Sequence, residues 1–561
     1  MNKMDKKLLS LAVMLSCVAA MPAMAATVIP STDSVIRDVQ QNKPISRIEM
    51  MSKDQSKLDA PIVTTPTEPK VQVNKFVFTG QKVISQEKLQ KVVQKYVGRK
   101  LNFQEMEDAT LEVSKYCRLT EGYYIATAYY PEQDIQNGIV EIRVLLGEFG
   151  DVTVDNKSRL QTEKAKAFAE PLKKGELIKT RTMESVMENL NNIPGVSAKA
   201  IMKPGNVAGA SDIAITLADT KKIETTVFVD NYGTRYTGRY RYGFNTYFNN
   251  DGSDGEFWNI GGMITNKDMR SYWLGYESPM GYRGSRIGIS YAHQGYSLGD
   301  FYERLGATGR SNSLTIYGMT PLIQKYNSFM KLLYGISHNS LKDEYRTMRY
   351  GLRKYDDYAY VGIGGAHEDQ NSYTSYTAIY YRGRTENKDL TLDGVTYHDP
   401  GGDIGMYHKG NFDVMHIDYL QPKLELVTTF HGQLANHPLD SSEKMSLGGP
   451  YAVRAYPASE ACGDIGYQSS IELRFRTNEP GLTFGPFFDI GEVSLNKDFN
   501  EHRKLMGWGI GIQYMDRRGY YRPQPDWFMR LDWARKIDAE QNQSTTSQNH
   551  NQFWFRVVKL L

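Results

Sequence analysis

The hydrophobic pattern of the chain changes period near Lys222. Upstream, apolar residues recur three and four apart in two stretches: Leu89, Val92, Val93 and Tyr96 in 86–96, and Met106, Ala109, Val113 and Tyr116 in 103–119. That spacing puts each set on one side of a helix. At 71–79, Val71, Val73, Lys75 and Val77 interleave with Gln72, Asn74, Phe76 and Phe78, which predicts one strand ending at Gly80. Segments 123–129 and 139–146 are β-rich, with Pro131, Asn137 and Gly138 in a turn between them. The order is strand, helix, helix, strand, strand. A looser copy follows, with a short strand at 152–154, helices at 161–170 and 180–192, and strands at 196–203 and 211–217. Two successive copies of one unit, 71–147 and 148–220, make an internal repeat.

Downstream of Lys222 the helical period gives way to single alternation. Ile287, Ile289 and Tyr291 alternate with Arg286, Gly288 and Ser290; Ile471, Leu473 and Phe475 with Glu472, Arg474 and Arg476; Trp527, Met529, Leu531 and Trp533 with Phe528, Arg530, Asp532 and Ala534. One face is greasy and aromatic, and the other holds charges or glycine. Composition follows the same boundary: 32 of 38 Tyr, all 6 Trp and 39 of 49 Gly lie beyond Lys222. A soluble sandwich would bury its apolar face, but it has no need of so many amphipathic rings near strand ends. Lipid-facing barrel strands do need them, because the rings settle at the two membrane interfaces. The 339 residues of 221–561 that start at Ile223 accommodate about 16 antiparallel strands with their loops. The fold class expected is therefore a transmembrane β-barrel preceded by two α+β units.

Charge and hydropathy narrow the function. Lys and Arg number 67 against 64 Asp and Glu, a net charge of +3, which is too balanced for a nucleic-acid binder. A mean hydropathy of −0.51 argues against a bundle of spanning helices. Lys3, Lys6 and Lys7 precede an apolar run at 8–20, and Ala23-Met24-Ala25 supplies a small-x-small cleavage site, so residues 1–25 read as a secretory signal peptide. Residues 26–70 are polar and carry Pro30, Pro44, Pro61, Pro66 and Pro69. Ser31 is placed to cap a short helix bearing Val35, Ile36 and Val39. That stretch reads either as a plug or as a tail, and composition favours the tail. Cys117 and Cys462, far apart in the mature chain, are expected as small apolar residues outside any disulfide.

The most specific motif is the run from Ser446 through Gly448, Gly449, Val453, Arg454, Ala455 and Tyr456, which leads into the strand at 470–476. Downstream, Phe487-Phe488-Asp489-Ile490-Gly491 alternates so that Phe487, Asp489 and Gly491 share one face. A carboxylate is costly against lipid, so that face is the lumen. An Arg on a loop folded into the lumen would find Asp489 as a bidentate partner. Gly295-Tyr296-Ser297-Leu298-Gly299 matches the nucleophile-elbow pattern G-x-S-x-G, but no helix pattern follows it as that chemistry requires. No phosphate-binding G-x-x-x-x-G-K-[ST], H-E-x-x-H or paired C-x-x-C occurs, so neither nucleotide nor metal nor other cofactor is expected.

The repeated unit, behind a signal peptide and ahead of a barrel, resembles a pair of POTRA domains. Together with the V-R-A-Y and F-x-D-x-G motifs, the chain closely resembles the two-partner secretion transporters (TpsB proteins, of the haemolysin secretion/activation type) within the BamA-type barrel superfamily. The resemblance implies that Arg454, on the tip of the sixth extracellular loop, pairs with Asp489 on the inner wall. Asp230-Asn231-Tyr232-Gly233 is similar to the family's start of the barrel. Ala455 stands where the family has Gly, which questions whether the tip needs a positive φ, and the chain closes on Leu561 where an aromatic residue is usual. The resemblance further implies a secreted exoprotein of the TpsA type as partner. It also implies outer-membrane lipid around the barrel, POTRA domains in the periplasm, insertion by the barrel-assembly machinery, and no enzyme activity. An assembly factor of the same superfamily and an outer-membrane hydrolase using Ser297 are the competing readings.

Overall fold

The computed structural model describes residues 70–207, 209–325, 327–401, 405–496, 501–516, 527–537 and 549–561. The signal peptide and the short helix expected near Ser31 lie outside the described residues. In the first unit, Lys75–Thr79 runs parallel to Ile139–Leu146, which pairs antiparallel with Ala126–Tyr129. Helices α1 (Gln86–Val92) and α2 (Phe103–Leu119) pack on this sheet. Ser85 caps α1 by accepting from the Lys88 N–H, and Asn102 and Glu105 form a reciprocal capping box on α2. Leu89, Val113, Val140, Ile142 and Val144 are wholly removed from water in the core between them.

The single strand expected at 71–79 is two strands. Val71–Val73 pairs with Arg99–Leu101, whereas Lys75–Thr79 pairs with Ile139–Leu146. The break at Asn74 shifts the buried phase, so that Val73 and then Phe76 and Phe78 point inward. The helical spacing at 86–96 also divides, into α1 and a 3-10 turn at Gln94–Tyr96.

In the second unit, Glu148–Lys157 runs parallel to Ala210–Asp219, which pairs antiparallel with Val196–Pro204. Helices α3 (Thr162–Ala169) and α4 (Thr180–Asn191) cover the sheet, with Phe149, Leu160, Phe168, Ile178, Leu190 and Ile213 in the core. The strand expected at 152–154 extends to ten residues, because its register steps between Phe149 and Val152 and pairing continues on both sides. This unit sits directly on barrel turns. Ser185 Oγ donates to Gln324 Oε1 at 2.9 Å, Gln161 Nε2 donates to Asp254 Oδ1 at 2.8 Å, and Lys164 pairs with Asp254 at 2.8 Å. Phe168 and Tyr282 meet edge to face at 5.5 Å. Those turns mark the end of the barrel that faces the two α+β units.

Sixteen antiparallel strands close the barrel, from Ile223–Asp230 to Asn551–Leu560, each paired with its neighbours; Val395–His398 extends one outer hairpin. The last strand joins the first over five residue pairs, Arg556↔Asp230 through Leu560↔Thr226. By contrast, Ser328–Tyr345 and Tyr350–Glu368 run together along their whole lengths. The strands from Ala307–Lys325 to Gly405–Gln421 have 17 to 21 residues, well beyond the roughly 9–11 that cross a bilayer. Outward positions follow the sequence alternation: Ile287, Ile289, Trp508, Ile510 and Ile512 are exposed, and Arg286 and Ser290 are buried. The aromatic residues divide between two environments. Trp258, Trp508 and Trp527 face outward, but Trp273 and Trp554 are buried on the inner side, where Trp273 Nε1 donates to Asn245 Oδ1 at 3.0 Å.

Candidate functional site

Residues 436–464 join Leu424–Ala435 to Ile465–Arg476 and fold back into the barrel. Met445–Leu447 pairs with Ala461–Gly463 as a short hairpin. Gly448 and Gly449, with φ of 89° and 101°, turn the chain off that hairpin. The tip then tightens on itself: Gly449 N donates to Tyr456 O at 3.0 Å and Tyr456 N to Val453 O at 3.1 Å. Val453, Ala455 and Tyr456 are fully buried against Phe487, Val493, Leu505 and Ala534 of the wall. Gly491 admits the hairpin, since a methyl there would stand 2.9 Å from Leu447 Cδ2.

Arg454 is the hub. Its Nε and Nη2 donate to the two oxygens of Asp489 at 2.9 and 2.8 Å, and its backbone N–H donates to the same carboxylate at 3.0 Å. Nη1 reaches Glu472 Oε2 at 3.0 Å and Asp532 Oδ1 at 3.4 Å, Nη2 donates to Ser470 Oγ at 2.8 Å, and the guanidinium lies over the Phe487 ring. The carbonyl of Arg454 accepts from Trp554 Nε1 at 2.7 Å. Arg474 and Arg530 complete the set by pairing with Glu472 at 2.7 and 2.8 Å, and Arg530 also pairs with Asp532 at 2.7 Å. Three guanidinium groups thus face three carboxylates, so the buried cluster is neutral as a whole. A fork with five donors suits such a site, because desolvated charges are tolerable only when paired and hydrogen-bonded.

The motif residues fall into two places. Arg454, Val453, Tyr456, Phe487, Asp489, Gly448, Gly449 and Gly491 come together in this site. Asp230 lies at the barrel seam instead, where it pairs with Arg241 at 2.6 Å and faces Arg556 at 3.9 Å. The guanidinium groups of Arg241 and Arg556 both approach the Tyr232 ring, at 5.6 and 5.8 Å, and that ring packs edge to face with Tyr451 of the loop at 5.3 Å. Ala455 needs no positive φ: the left-handed positions around the tip are Gly448, Gly449 and Ser459. Its methyl is accommodated by Gly507 opposite, where a side chain would run into it. Motif reading missed Glu472, Ser470, Asp532 and Trp554. Alternation did put Glu472 and Asp532 on the face away from lipid, but only the register of distant strands unites them.

Ser297 ends the strand Arg286–Ser297 and is followed by a 3-10 turn at Asp300–Leu305, so the helix of a nucleophile elbow does not follow it. Cys117 is buried in α2 and Cys462 in the loop hairpin. Burial pushes the Cys117 thiol up to about 11, which leaves it unreactive near neutrality.

The family described as haemolysin secretion/activation protein ShlB/FhaC/HecB matches residues 209–514, more than half of the chain. The chain belongs to that family. A POTRA domain of the ShlB type matches residues 71–147. Among curated relatives, the heme/hemopexin transporter protein HuxB of Haemophilus influenzae (strain 86-028NP) is 25% identical, covering 94% of each chain. The outer membrane transporter CdiB of Dickeya dadantii (strain 3937) is 22% identical over 75% of this chain and 76% of that one. Among solved structures, CdiB from Escherichia coli superposes with a TM-score of 0.66 at 17% identity, covering 95% of this chain and 99% of that one. BamA from Haemophilus ducreyi lacking POTRA domains 1–3 gives 0.50 at 14% identity, covering 88% and 100%. Both likenesses concern the fold. As a member of the ShlB/FhaC/HecB family, the protein is an outer-membrane translocator of two-partner secretion, with its POTRA region in the periplasm and a secreted exoprotein as its partner.

Proposed function

We propose that the Arg454–Asp489 pair is the lock that holds the inserted loop in a closed resting barrel, and that its integrity sets the efficiency of exoprotein export. The supporting observation is the neutral, buried set of three arginines and three carboxylates, with Arg454 alone contributed by the loop. An unfolded exoprotein of the TpsA type docks first in the periplasm. The units at 71–147 and 148–220 act there as a POTRA pair, and the outer strands Lys75–Thr79 and Val196–Pro204 each turn one edge away from their sheet, where main-chain pairing would displace the Gln86 and Asn191 side chains bonded to Phe78 and Ala198. Such capture is tolerant of side chains, which suits an extended cargo. Folding of the cargo outside the cell supplies the drive. Lipid surrounds the apolar outer face, and the barrel-assembly machinery inserts it. Ser297 is read as a turn-proximal barrel residue, and the protein as a non-enzyme.

Arg454→Ala should reduce export of the partner exoprotein severely while the barrel remains folded and heat-modifiable on gels. Removing one member of a buried pair costs about 3–5 kcal/mol locally. Arg454→Lys should rescue little, since an ammonium cannot reproduce the fork. Normal export by Arg454→Ala would refute the lock.

A further inference from the structure

The same loop touches the barrel at a second place, far along the wall from Asp489. Before its hairpin begins, Asp440 and Glu443 meet two lysines that point inward from other strands. Lys354, on Tyr350–Glu368, donates to Asp440 Oδ2 at 2.6 Å. Lys409, on Gly405–Gln421, donates to Glu443 Oε2 and lies 4.8 Å over the Tyr381 ring. All four charged side chains are buried. Each lysine sits near the start of a strand that descends from an extracellular loop, so these contacts are at the outer mouth.

The stem that bears the two carboxylates is itself rigid. Asp440 accepts from the Ser442 N–H and hydroxyl at 3.1 and 2.9 Å. Asp464, at the far end of the loop, accepts from Leu439 N at 2.9 Å and pairs with Lys444 at 3.1 Å. Gln433 Nε2 bridges the carbonyls of Glu443 and Asp464 at 3.0 and 3.2 Å. The two ends of the loop are therefore tied to each other and, through Asp440 and Glu443, to the long-stranded side of the barrel.

We infer that Lys354 and Lys409 are positioning residues of a separate anchor, which holds the loop stem across the extracellular mouth and opens during export independently of the tip. The chemistry of the two attachments differs in the direction this requires. The tip is held by a guanidinium with its donors spread over three carboxylates and a serine. The stem is held by two ammonium groups, point charges without a fork. Glu443 Oε1 is buried and has no hydrogen-bond partner, a desolvation cost borne by the closed state. Releasing the stem lets that oxygen reach water, so the closed state at the mouth is the less secure of the two. The inference rests on the reading of the inserted loop as a closed resting state, and the experiment separates the two.

The test is single-channel recording of the purified full-length protein in planar bilayers, with heat-modifiability as the folding control. Lys354→Met with Lys409→Met should raise the frequency of open events about tenfold or more, equivalent to about 1.4 kcal/mol. Lys354→Asp alone should raise it likewise, and adding Asp440→Lys to make the reversed pair should return it toward the original level. A structural role alone would not show that recovery. Unchanged channel activity in the double-Met protein, or failure of the reversed pair to restore it, would overturn the stem anchor. Arg454→Ala is recorded in parallel. If it alone alters the channel, the tip lock stands and the stem anchor falls; if only the double-Met protein alters it, the stem anchor stands and the tip lock falls.

Discussion

Leu89, Val140 and Ile142 in the first periplasmic unit are as completely removed from water as Asp230 and Asp489 in the barrel. The first group is buried because apolar area leaves water when two helices close on a sheet. The second is buried although charged, because the solvent on the other side of the wall is hydrocarbon, so the polar half of each strand must gather inward. The two interiors thus tolerate opposite mistakes. An apolar core fails when a charge enters it, and a charged lumen fails when one partner of a pair leaves.

The strongest way to break this contrast is Ile142→Asp. A carboxylate without a partner in that core costs several kcal/mol, so the first unit should unfold and lose protease protection while the barrel stays heat-modifiable. Survival of both would mean that the periplasmic core is less closed than its burial indicates. A finer test uses the tip. Gly507→Ala should strain the loop by about 1–3 kcal/mol through overpacking against Ala455, lowering export. The same change in an Ala455→Gly background should be milder, with the Arg535 carbonyl at 3.1 Å as the remaining close contact. Equal effects in both backgrounds would remove the steric match between loop and wall.

The smallest effect is electrostatic and lies on the periplasmic surface. Glu121 accepts from Lys88 Nζ at 2.8 Å and from the Tyr116 hydroxyl at 2.7 Å, joining α1 to the end of α2. The hydrogen bond from Lys88, then that from Tyr116, lowers the Glu121 pKa. A depressed folded value stabilises above the unfolded carboxylate pKa of about 4.3, and the contribution is lost as pH falls through the folded value. The thermal transition of the periplasmic region should therefore drop on acidification by less in Glu121→Gln than in the unmodified chain. Identical pH profiles would show the contact to be without thermodynamic weight, as many exposed pairs are.

Local chemistry was readable in the sequence wherever it acts locally. The start of α2 follows from Asn102 and Glu105, and the barrel faces follow from the single alternation of Ile287 with Gly288 or Phe488 with Asp489. The break at Asn74 was not readable, because it is imposed by the pairing of Val71–Val73 with Arg99–Leu101, whose register no window of neighbours contains. The aromatic count pointed to membrane belts, yet Trp554 turns inward to hold the Arg454 carbonyl. The candidate site was legible in the same measure. Arg454 and Asp489 stand in recognisable motifs, whereas Glu472, Asp532 and Ser470 become partners only when strands distant in sequence are laid side by side. Lys354 and Asp440 carry no motif at all.

The seam between the first and last strands has a mechanical consequence. A cylinder stretched by a bulky occupant carries tension around its circumference, and it parts at the joint with the fewest cross-links. Here that joint has five residue pairs, against eighteen between Ser328–Tyr345 and Tyr350–Glu368. The loop tip is fastened beside this joint, through Trp554 to the Arg454 carbonyl and through Arg556 to the Tyr451 hydroxyl. Withdrawing the tip would take away the inner brace of the weakest stave at the moment when the load on the hoop is greatest.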